Sequence, residues 1–330
     1  MSEHGTALGV SVCGVDNLEG SLEYYRDLVG LDVVDRGTWS GREFEDHWHL
    51  PAGSSARTAL LGFGGSPVGR VLLLEFDASQ RLRVRPQKER AFYGLFNLNF
   101  YCYDIPAAVV ELKERGYDVW SDPLTYDVSA QAGQPTEVLY DGPDGVIINL
   151  VQPAGGGGTA VGEMKAYLDS HGVTQRGFTE VATSSHRVKD REAAFAFHRD
   201  VLGQDVFIDA TLGSETSNQL WALPDEARTR ATFMRGAHPF GKVVLSQPLN
   251  YRPPDFVPRA VAPNIGYLAM VFPVSDLGTA LGAADLGDDG VINPPAEMLL
   301  PGVGRRAVAA IRAPGSGARY ELMEDEVPLP

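Results

Sequence analysis

The most restrictive feature of this sequence is an internal repeat. The segment Tyr24–Val33 returns as Phe197–Val206, at a shift of 173 residues along the chain. The same shift relates Trp48 to Trp221. A constant shift over so much of the chain predicts two halves that share one architecture.

Length, composition and charge exclude several classes of protein. The 330 residues and the repeat together favour two domains of about 150 residues each. A formal net charge of −15 disfavours phosphate backbones and anionic membranes, so we expect neither nucleic acid nor a membrane as a partner. Two cysteines are too few for a disulfide framework or a zinc cluster. No leader pattern and no membrane-spanning apolar stretch is present, which predicts a cytoplasmic protein.

Each half divides again into modules of one strand, one helix and three strands. The first helix is predicted from the capping pair Asp16-Asn17 to Gly30. In the second module, Asp104 precedes a helix that has Pro106 in its first turn. Strands are predicted around residues 31–36, 44–50, 57–63, 69–76, 117–121, 136–140 and 146–151. The second half repeats both units, so we expect four modules in all.

These modules are expected to form two domains. Residues 1–152 are predicted to be the N-terminal domain of two modules, and residues 177–330 the C-terminal domain of two more. Residues 153–176 begin with a Gly-rich linker and continue into a short helix at about 161–170. Which modules pair to form each cavity is left open, and so is whether the chain forms a homodimer.

The motifs resemble those of the vicinal oxygen chelate superfamily, which contains glyoxalases, bleomycin-resistance proteins and extradiol dioxygenases. Its signature combines a first strand ending in Asp, a helix written S-x-x-F-Y-x-D-x-L-G and a last strand written D-P-D-G-x-x-x-E-L. The stretches that match it are Ser21–Gly30, Phe197–Gly203 and Asp141–Leu150. The resemblance implies an α+β fold, in which four βαβββ modules form two glyoxalase-like half-barrel domains with ligand sites on their concave faces.

The resemblance also implies one divalent metal, held by His and Glu near the ends of a module's first and last strands. In the N-terminal half those positions carry Gly9, Asn97 and Asn149, which are poor ligands for such a metal. In the C-terminal half Asn149 maps to Glu321, which keeps the carboxylate. Glu180 falls at the expected His position if a longer first strand is allowed for, and strict counting gives Thr183 instead.

Glu180 and Glu321 therefore leave three alternatives open. They could bind Mg²⁺ or Mn²⁺ rather than iron, so the cofactor is either none or one divalent metal. They could act as a metal-free acid/base pair, with His186 at a strand end as a further catalytic candidate. They could also be solvated carboxylates at the rim. His47 and His49 are predicted on one face of a strand, where two imidazoles could bind metal.

A second group of residues predicts a ligand surface. Alternation along the strands places amides and an aromatic ring on the concave side, which suits a polar, partly flat small molecule. Two tryptophans could stack on such a ligand or could equally belong to the core, and a cysteine is expected to share the concave face. These predicted substrate-binding residues are Asn97, Asn99, Tyr101, Asn149, Trp48, Trp221 and Cys13.

Two functions follow from the resemblance and the altered site. The first is an enzyme acting on an oxygen-rich or aromatic small molecule, as a lyase, isomerase or ring-cleaving dioxygenase-like protein with a degenerate metal site. The missing His pair favours proton transfer or elimination over oxygen chemistry. The alternative is a non-catalytic protein that binds an antibiotic or metabolite, as the drug-sequestering members of the group do.

Overall fold

A computed structural model describes residues 5–86, 89–153 and 156–325. Ala154 and Gly155 of the predicted linker lie outside the described residues, as do residues 1–4, 87–88 and 326–330 of the predicted domains. Four modules follow one another along the chain. The first comprises β1 (Val10–Gly14), α1 (Leu18–Leu22) continued by a π-helical segment (Glu23–Leu28), β2 (Asp32–Ser40), α2 (Arg42–Trp48), β3 (Ser55–Gly62) and β4 (Arg70–Phe76).

The other modules repeat this plan. The second comprises β5 (Gly94–Cys102), α3 (Ile105–Glu114), β6 (Asp118–Val119), β7 (Leu124–Thr125), β8 (Pro135–Asp141) and β9 (Ile147–Pro153). A connecting helix, α4 (Ala160–His171), follows. The third comprises β10 (Phe178–Arg187), α5 (Arg191–Asp200), β11 (Asp205–Leu212), α6 (Glu215–Leu220), β12 (Thr229–Arg235) and β13 (Lys242–Pro248). The fourth comprises β14 (Gly266–Val274), α7 (Leu277–Ala283), β15 (Val291–Leu300), β16 (Gly304–Arg312) and β17 (Arg319–Glu324).

The module helices begin at equivalent capping residues. Asn17 accepts a hydrogen bond from the Gly20 N–H, and an Asp side chain caps α3, α5 and α7 in the same way. Such a cap satisfies an N–H group that has no partner inside the helix. The helices predicted after Asn17 and Asp104 and the short helix near 161–170 are confirmed.

The strands form two sheets, and each sheet takes one module from each half of the repeat. Modules 1 and 4 share a sheet of eight strands in the order β15-β16-β17-β14-β1-β4-β3-β2. Modules 2 and 3 share a sheet of nine, in the order β11-β12-β13-β10-β5-β9-β8-β6 with β7 beside β8. The central contacts, β1 with β14 and β5 with β10, are antiparallel. A division into residues 1–152 and 177–330 therefore separates strands that are hydrogen-bonded to each other.

One predicted strand is wrong. The sequence predicts an extended segment at residues 44–50, but these residues lie mostly in α2, and His49 ends that helix in the left-handed conformation with a φ of 54°. Phe44, His47 and Trp48 are the buried side chains of this helix, so its apolar face has i, i+3, i+4 spacing. His47 and His49 accordingly do not share the face of a strand.

The two sheets pack through a common core and differ at their concave faces. The largest apolar cluster contains helix residues and strand residues of both sheets, such as Leu22, Phe100 and Phe272. Trp39, Phe44 and Trp48 fill the concave face of the module 1–4 sheet, which we call the closed hollow. The module 2–3 sheet keeps a cavity, which we call the open hollow. Among the described helices, none has the length and apolar character needed to cross a membrane.

Candidate functional site

The open hollow is a cavity on the concave face of the module 2–3 sheet. Its empty space, including the part that opens to solvent, is about 880 Å³. Seven neighbouring strands supply side chains from the same face, because alternate residues of a strand point the same way. These strand residues are Pro135 and Glu137 on β8, Asn149 and Val151 on β9, Asn99 and Tyr101 on β5, Thr183, Ser185 and Arg187 on β10, Val244 and Ser246 on β13, Thr229, Ala231 and Phe233 on β12, and Ile208 and Leu212 on β11.

A buried carboxyl group lies at one end of the open hollow. The Glu137 side chain accepts hydrogen bonds from Asn149 Nδ2 at 2.7 Å and from the Tyr126 hydroxyl at 3.1 Å. Burial raises the pKa of Glu137 to about 7, although these two hydrogen bonds favour the charged form. Near neutral pH this group therefore exists in both protonation states and can either donate or accept a proton. We call this region the Glu137 end.

A buried guanidinium group lies elsewhere in the same cavity. Arg187, at the last position of β10, is only 2% exposed, and its guanidinium stacks on the Phe96 ring at 4.2 Å. Its Nε and Nη1 atoms are buried without a hydrogen-bond partner on the described part of the protein. Burial lowers the pKa of Arg187, but an arginine remains charged at physiological pH. We call this region the Arg187 end.

Two amide groups leave further hydrogen-bonding capacity in the cavity. Asn99 and Asn149 are neighbours across the parallel β5–β9 pair. Their Oδ1 atoms are buried, and among the described residues neither accepts a hydrogen bond. Buried polar atoms normally have hydrogen-bond partners, so these two oxygens are acceptors to which a ligand could donate hydrogen bonds.

Helices close the remaining sides of the open hollow with apolar groups. Trp221 follows α6, which packs against β7 and β8 of the neighbouring module. Val161 and Met164 of α4 cover the other side. The cavity thus combines apolar and aromatic walls with a few polar groups, as small-molecule sites commonly do.

The structure brings part of the predicted ligand surface together. Asn99, Tyr101, Asn149 and Trp221 all line the open hollow. Asn97 lies beside it, where its side-chain oxygen accepts a hydrogen bond from the Ser185 N–H at 3.1 Å and so joins β5 to β10.

Trp48 and Glu321 belong to the closed hollow. Glu321 Oε1 lies 2.8 Å from both His47 Nε2 and Arg319 Nε, and the Arg319 guanidinium lies over the Trp48 ring. Burial alone would raise the pKa of the Glu321 carboxyl, but His47 and Arg319 lower that pKa to about 2. Glu321 is therefore a paired, ionised carboxylate.

Glu180 and His186 are not brought together with Glu321. Glu180 is fully buried on β10, with its carboxylate 3.1 Å from His171 Nε2 of α4. His186 Nδ1 lies 2.6 Å from the Tyr320 hydroxyl, and Nε2 lies 2.7 Å from Ser316 Oγ. Burial and the nearby His198 lower the pKa of His186 to about 3. Both nitrogens are thus occupied in the core, and the ring is neutral.

Cys13 faces the core instead of a hollow. On β1 the concave positions are Val10 and Val12, so Cys13 lies on the opposite face and belongs to the core between the sheets. Burial raises the pKa of the Cys13 thiol, which keeps it protonated and weakly nucleophilic. The prediction that Cys13 lies on the concave face is wrong, because Val10 and Val12 occupy that face and Cys13 alternates with them.

The polar residues that line the two hollows do not fit a divalent cation. In the open hollow, Asn99, Asn149 and Thr183 offer only neutral oxygen atoms beside the single carboxyl of Glu137. In the closed hollow the Arg319 guanidinium already neutralises Glu321 and would repel a second cation. The described ranges contain no cluster of three or more His, Cys, Asp and Glu side chains suited to a metal.

Sequence reasoning did not single out Glu137 or Arg187. A signal for Arg187 was present, because strict counting placed Thr183 at the site and a period of two then adds Ser185 and Arg187 to the same face. Glu137 gave no such signal, since nothing in the sequence showed which face of its strand meets the cavity.

Searches among known proteins match the fold alone. No protein-family model matches the chain, and neither does any curated protein. Glyoxalase I from Zea mays is 15% identical with a TM-score of 0.62, covering 97% of this chain and 92% of that chain. A point mutant of that enzyme gives 14% identity and a TM-score of 0.63, with coverages of 97% and 94%.

A Bacillus subtilis protein whose proposed activity is that of a dioxygenase is also similar. It is 11% identical with a TM-score of 0.56, and the match covers 99% of this chain and 87% of that chain. Identities this low leave the activity undetermined, because one fold supports many chemistries. The full-length matches and the four modules show that this chain has a glyoxalase-like fold with two half-barrel sheets.

Proposed function

We propose that the protein binds a small molecule with a flat, apolar body in the open hollow, without a divalent metal as its anchor. The observation that carries this proposal is a set of buried polar atoms, on Asn99, Asn149 and Arg187, that surround an apolar cavity and have no hydrogen-bond partner among the described residues. A polar atom buried without a partner costs free energy, and a ligand that supplies the partner recovers it.

The shape of the cavity supports a flat ligand. Trp221 and Phe233 line the open hollow, and Met164 adds a polarisable wall. Aromatic side chains favour contact with planar groups through offset or edge-to-face packing. The polar groups lie at the ends and on the floor of the cavity, where they would orient the ligand.

Calorimetric titration with 2-naphthamide, a neutral planar probe, tests this proposal. We expect measurable binding that a chelator leaves unchanged. Ala231 lies on the floor of the open hollow and is 2% exposed, so Ala231→Phe fills the cavity and should abolish binding. Leu60→Phe is the matched control, because it adds a ring in the closed hollow and should leave binding intact. Equal binding by both variants, or none by the unsubstituted protein, contradicts the proposal.

Glu137 supports a second candidate, an enzyme that moves a proton in the same cavity. A general acid or base works best with a pKa near the operating pH, and the pKa of Glu137 is about 7. This candidate keeps the acid/base chemistry predicted from the sequence but assigns it to Glu137 rather than to Glu180, Glu321 and His186.

The compound that copurifies with the protein distinguishes the two candidates. Mass spectrometry of material released from the unsubstituted protein and from Glu137→Gln should yield the same compound if the protein only binds. If Glu137 is the acid or base, the variant should retain unconverted substrate, while the unsubstituted protein retains product or nothing.

A further inference from the structure

We infer that the ligand of the open hollow carries a single negative charge, and that the Arg187 guanidinium binds this anionic group. The inference deepens the proposed function and rests on it. It names the chemical class of the ligand: a planar organic monoanion such as an aromatic carboxylate or a phenolate.

Among the described residues, Arg187 differs from the other two buried arginines in having no anionic partner. Arg85 lies 2.6 Å from Asp141, and Arg191 pairs with Glu192. The partly buried Arg319 also has such a partner, Glu321. Within the described ranges Arg187 forms no ion pair, and its Nε and Nη1 atoms have no hydrogen-bond partner. Since a buried charge is costly without a counter-charge, this guanidinium is arranged for an anion that the protein itself does not supply.

The stack on Phe96 fixes the guanidinium while leaving its edge free. The Phe96 ring covers one face of the group at 4.2 Å, and Phe96 and Arg187 lie on the neighbouring strands β5 and β10. The donors of a guanidinium lie in its plane, so stacking does not use them. Nε and Nη1 lie on different edges of the guanidinium, so each can donate a single charge-assisted hydrogen bond to an anionic oxygen.

The charge distribution favours an anion at the Arg187 end only. Glu137 lies three strands away from Arg187 in the order β10-β5-β9-β8, and the strand pairing places it level with Tyr101 of β5, whereas Arg187 is level with Gly94. Glu137, when ionised, would repel an anion at its own end, whereas a hydroxyl or amide there could bind Glu137 and Asn149. The chain's net charge of −15 also disfavours anions in general, so a preference for one must originate at Arg187.

Two isosteric probes test this inference at neutral pH: 2-naphthoate, which is anionic, and 2-naphthamide, which is neutral. A charge-assisted hydrogen bond predicts that the unsubstituted protein binds 2-naphthoate at least about tenfold more tightly. Arg187→Met should abolish this preference while 2-naphthamide still binds. It should also not lower the unfolding temperature, because it removes a buried charge that has no anionic partner among the described residues.

Arg191→Met is the matched control. It removes an equally buried arginine that hydrogen-bonds Thr232 and does not line the open hollow, so it should lower the unfolding temperature and keep the preference for 2-naphthoate. If the unsubstituted protein binds both probes equally, or if the preference survives Arg187→Met, the inference is wrong while the proposed function stands. If neither probe binds, the proposed function fails and this inference fails with it. The comparison of the two probes needs no variant, so it remains decisive even if Arg187→Met does not fold.

Discussion

At the scale of single residues, the open hollow holds two ionisable groups under unfavourable conditions. On the described part of the protein, Glu137 is buried with only neutral hydrogen-bond donors, and Arg187 is buried without a carboxylate beside it. In the closed hollow, by contrast, Glu321 pairs with His47 and Arg319. Perturbed, uncompensated groups concentrate at functional sites, which is why the two hollows differ in expected function as well as in volume.

Glu137→Gln should stabilise the protein at alkaline pH. The folded state holds the proton of Glu137 up to about pH 7, whereas the unfolded chain releases it near 4.5. Stability therefore falls as the pH rises from about 4.5 through 7, by a total of about 3 kcal/mol. The variant should lack this decline, and its free energy of unfolding at pH 8 should be about 2 to 3 kcal/mol higher, as measured by urea denaturation across the pH range.

Glu321→Gln provides the opposite control. The pKa of Glu321 is lowered to about 2, so its contribution to stability is present above pH 4.5 and is lost as the pH falls towards 2. Removing this carboxylate should therefore destabilise the protein at neutral pH, because the Arg319 guanidinium loses its buried counter-charge and His47 loses its hydrogen-bond partner. A Glu321→Gln variant that is more stable than the unsubstituted protein would contradict the lowered pKa of Glu321. A Glu137→Gln variant whose free energy of unfolding still declines with pH as in the unsubstituted protein would contradict the raised pKa of Glu137.

Residue positions were predictable from the sequence where strand alternation was regular. Asn99, Tyr101 and Asn149 lie in the regular parallel pair of β5 and β9 and do line the cavity. On β10 the register shifts at three places, among them the step between Val181 and Thr183, so the face of Glu180 did not follow from a simple count. Bulges of this kind are set by the packing of both strands, which a single sequence does not reveal.

At the scale of elements, two equivalent helices explain why one hollow is closed and the other open. Helices α2 and α6 occupy the same place in modules 1 and 3, and Trp48 corresponds to Trp221. At the same shift Trp39 becomes Leu212, and Phe44 becomes Ser217. Module 3 thus lacks two rings that fill the closed hollow in module 1.

The helical character of α2 was detectable in the sequence, although the segment was assigned to a strand. Phe44, His47 and Trp48 have helical spacing, and a period of 3.6 fits them better than a period of two. The following left-handed residue, His49, has its counterpart in Ala222 after α6. The segments of α2 and α6 therefore indicate a helix more strongly when they are compared with each other than either segment does alone.

Leu212→Trp should close the open hollow by restoring the ring that module 1 carries. Leu212 lines the cavity, so the larger side chain should reduce the affinity for 2-naphthamide at least about tenfold while the protein remains folded. Titration calorimetry measures the affinity, and thermal unfolding confirms the folded state.

The reciprocal change, Trp39→Leu, is the control for Leu212→Trp. Trp39 is 6% exposed and contacts Phe44 and Trp48. Its removal leaves a void in the closed hollow and should cost about 2 to 4 kcal/mol of stability without weakening the binding of 2-naphthamide. Unchanged binding by Leu212→Trp would mean that the probe occupies a different site.

At the scale of the whole molecule, the repeat determines four modules but not their pairing. A sheet built from modules 1 and 2 and a sheet built from modules 1 and 4 would both join the same kinds of strand edge. Both would also require the same alternation of buried and exposed residues along each strand. The structure pairs β1 with β14 and β5 with β10, and α4 packs against residues from both halves, including Ala7 and Phe240. The fold class was thus predictable from motifs, whereas the pairing depends on contacts between distant parts of the chain.

Separated halves of the chain test this pairing. Residues 1–152 alone would expose the edges of β1 and β5 that β14 and β10 normally cover, and residues 177–330 would expose the complementary edges. We expect neither fragment to unfold cooperatively by itself, because each lacks one module of both sheets and presents unpaired strand edges. Mixing the fragments should restore cooperative unfolding, as followed by circular dichroism. Binding of 2-naphthamide should not return in full, because both fragments lack Val161 and Met164 of α4, which line the open hollow.

The control for the fragments is the whole chain, folded first and then cut at a protease site inserted between Gly157 and Gly158. These glycines are exposed and precede α4, so the cut should leave both sheets and the open hollow intact. The cut protein should bind 2-naphthamide as the uncut protein does, which separates the effect of a broken chain from that of a missing half. A fragment of residues 177–330 that folds cooperatively as a monomer would instead mean that modules 3 and 4 can form a half-barrel together, and that each sheet does not need a module from both halves.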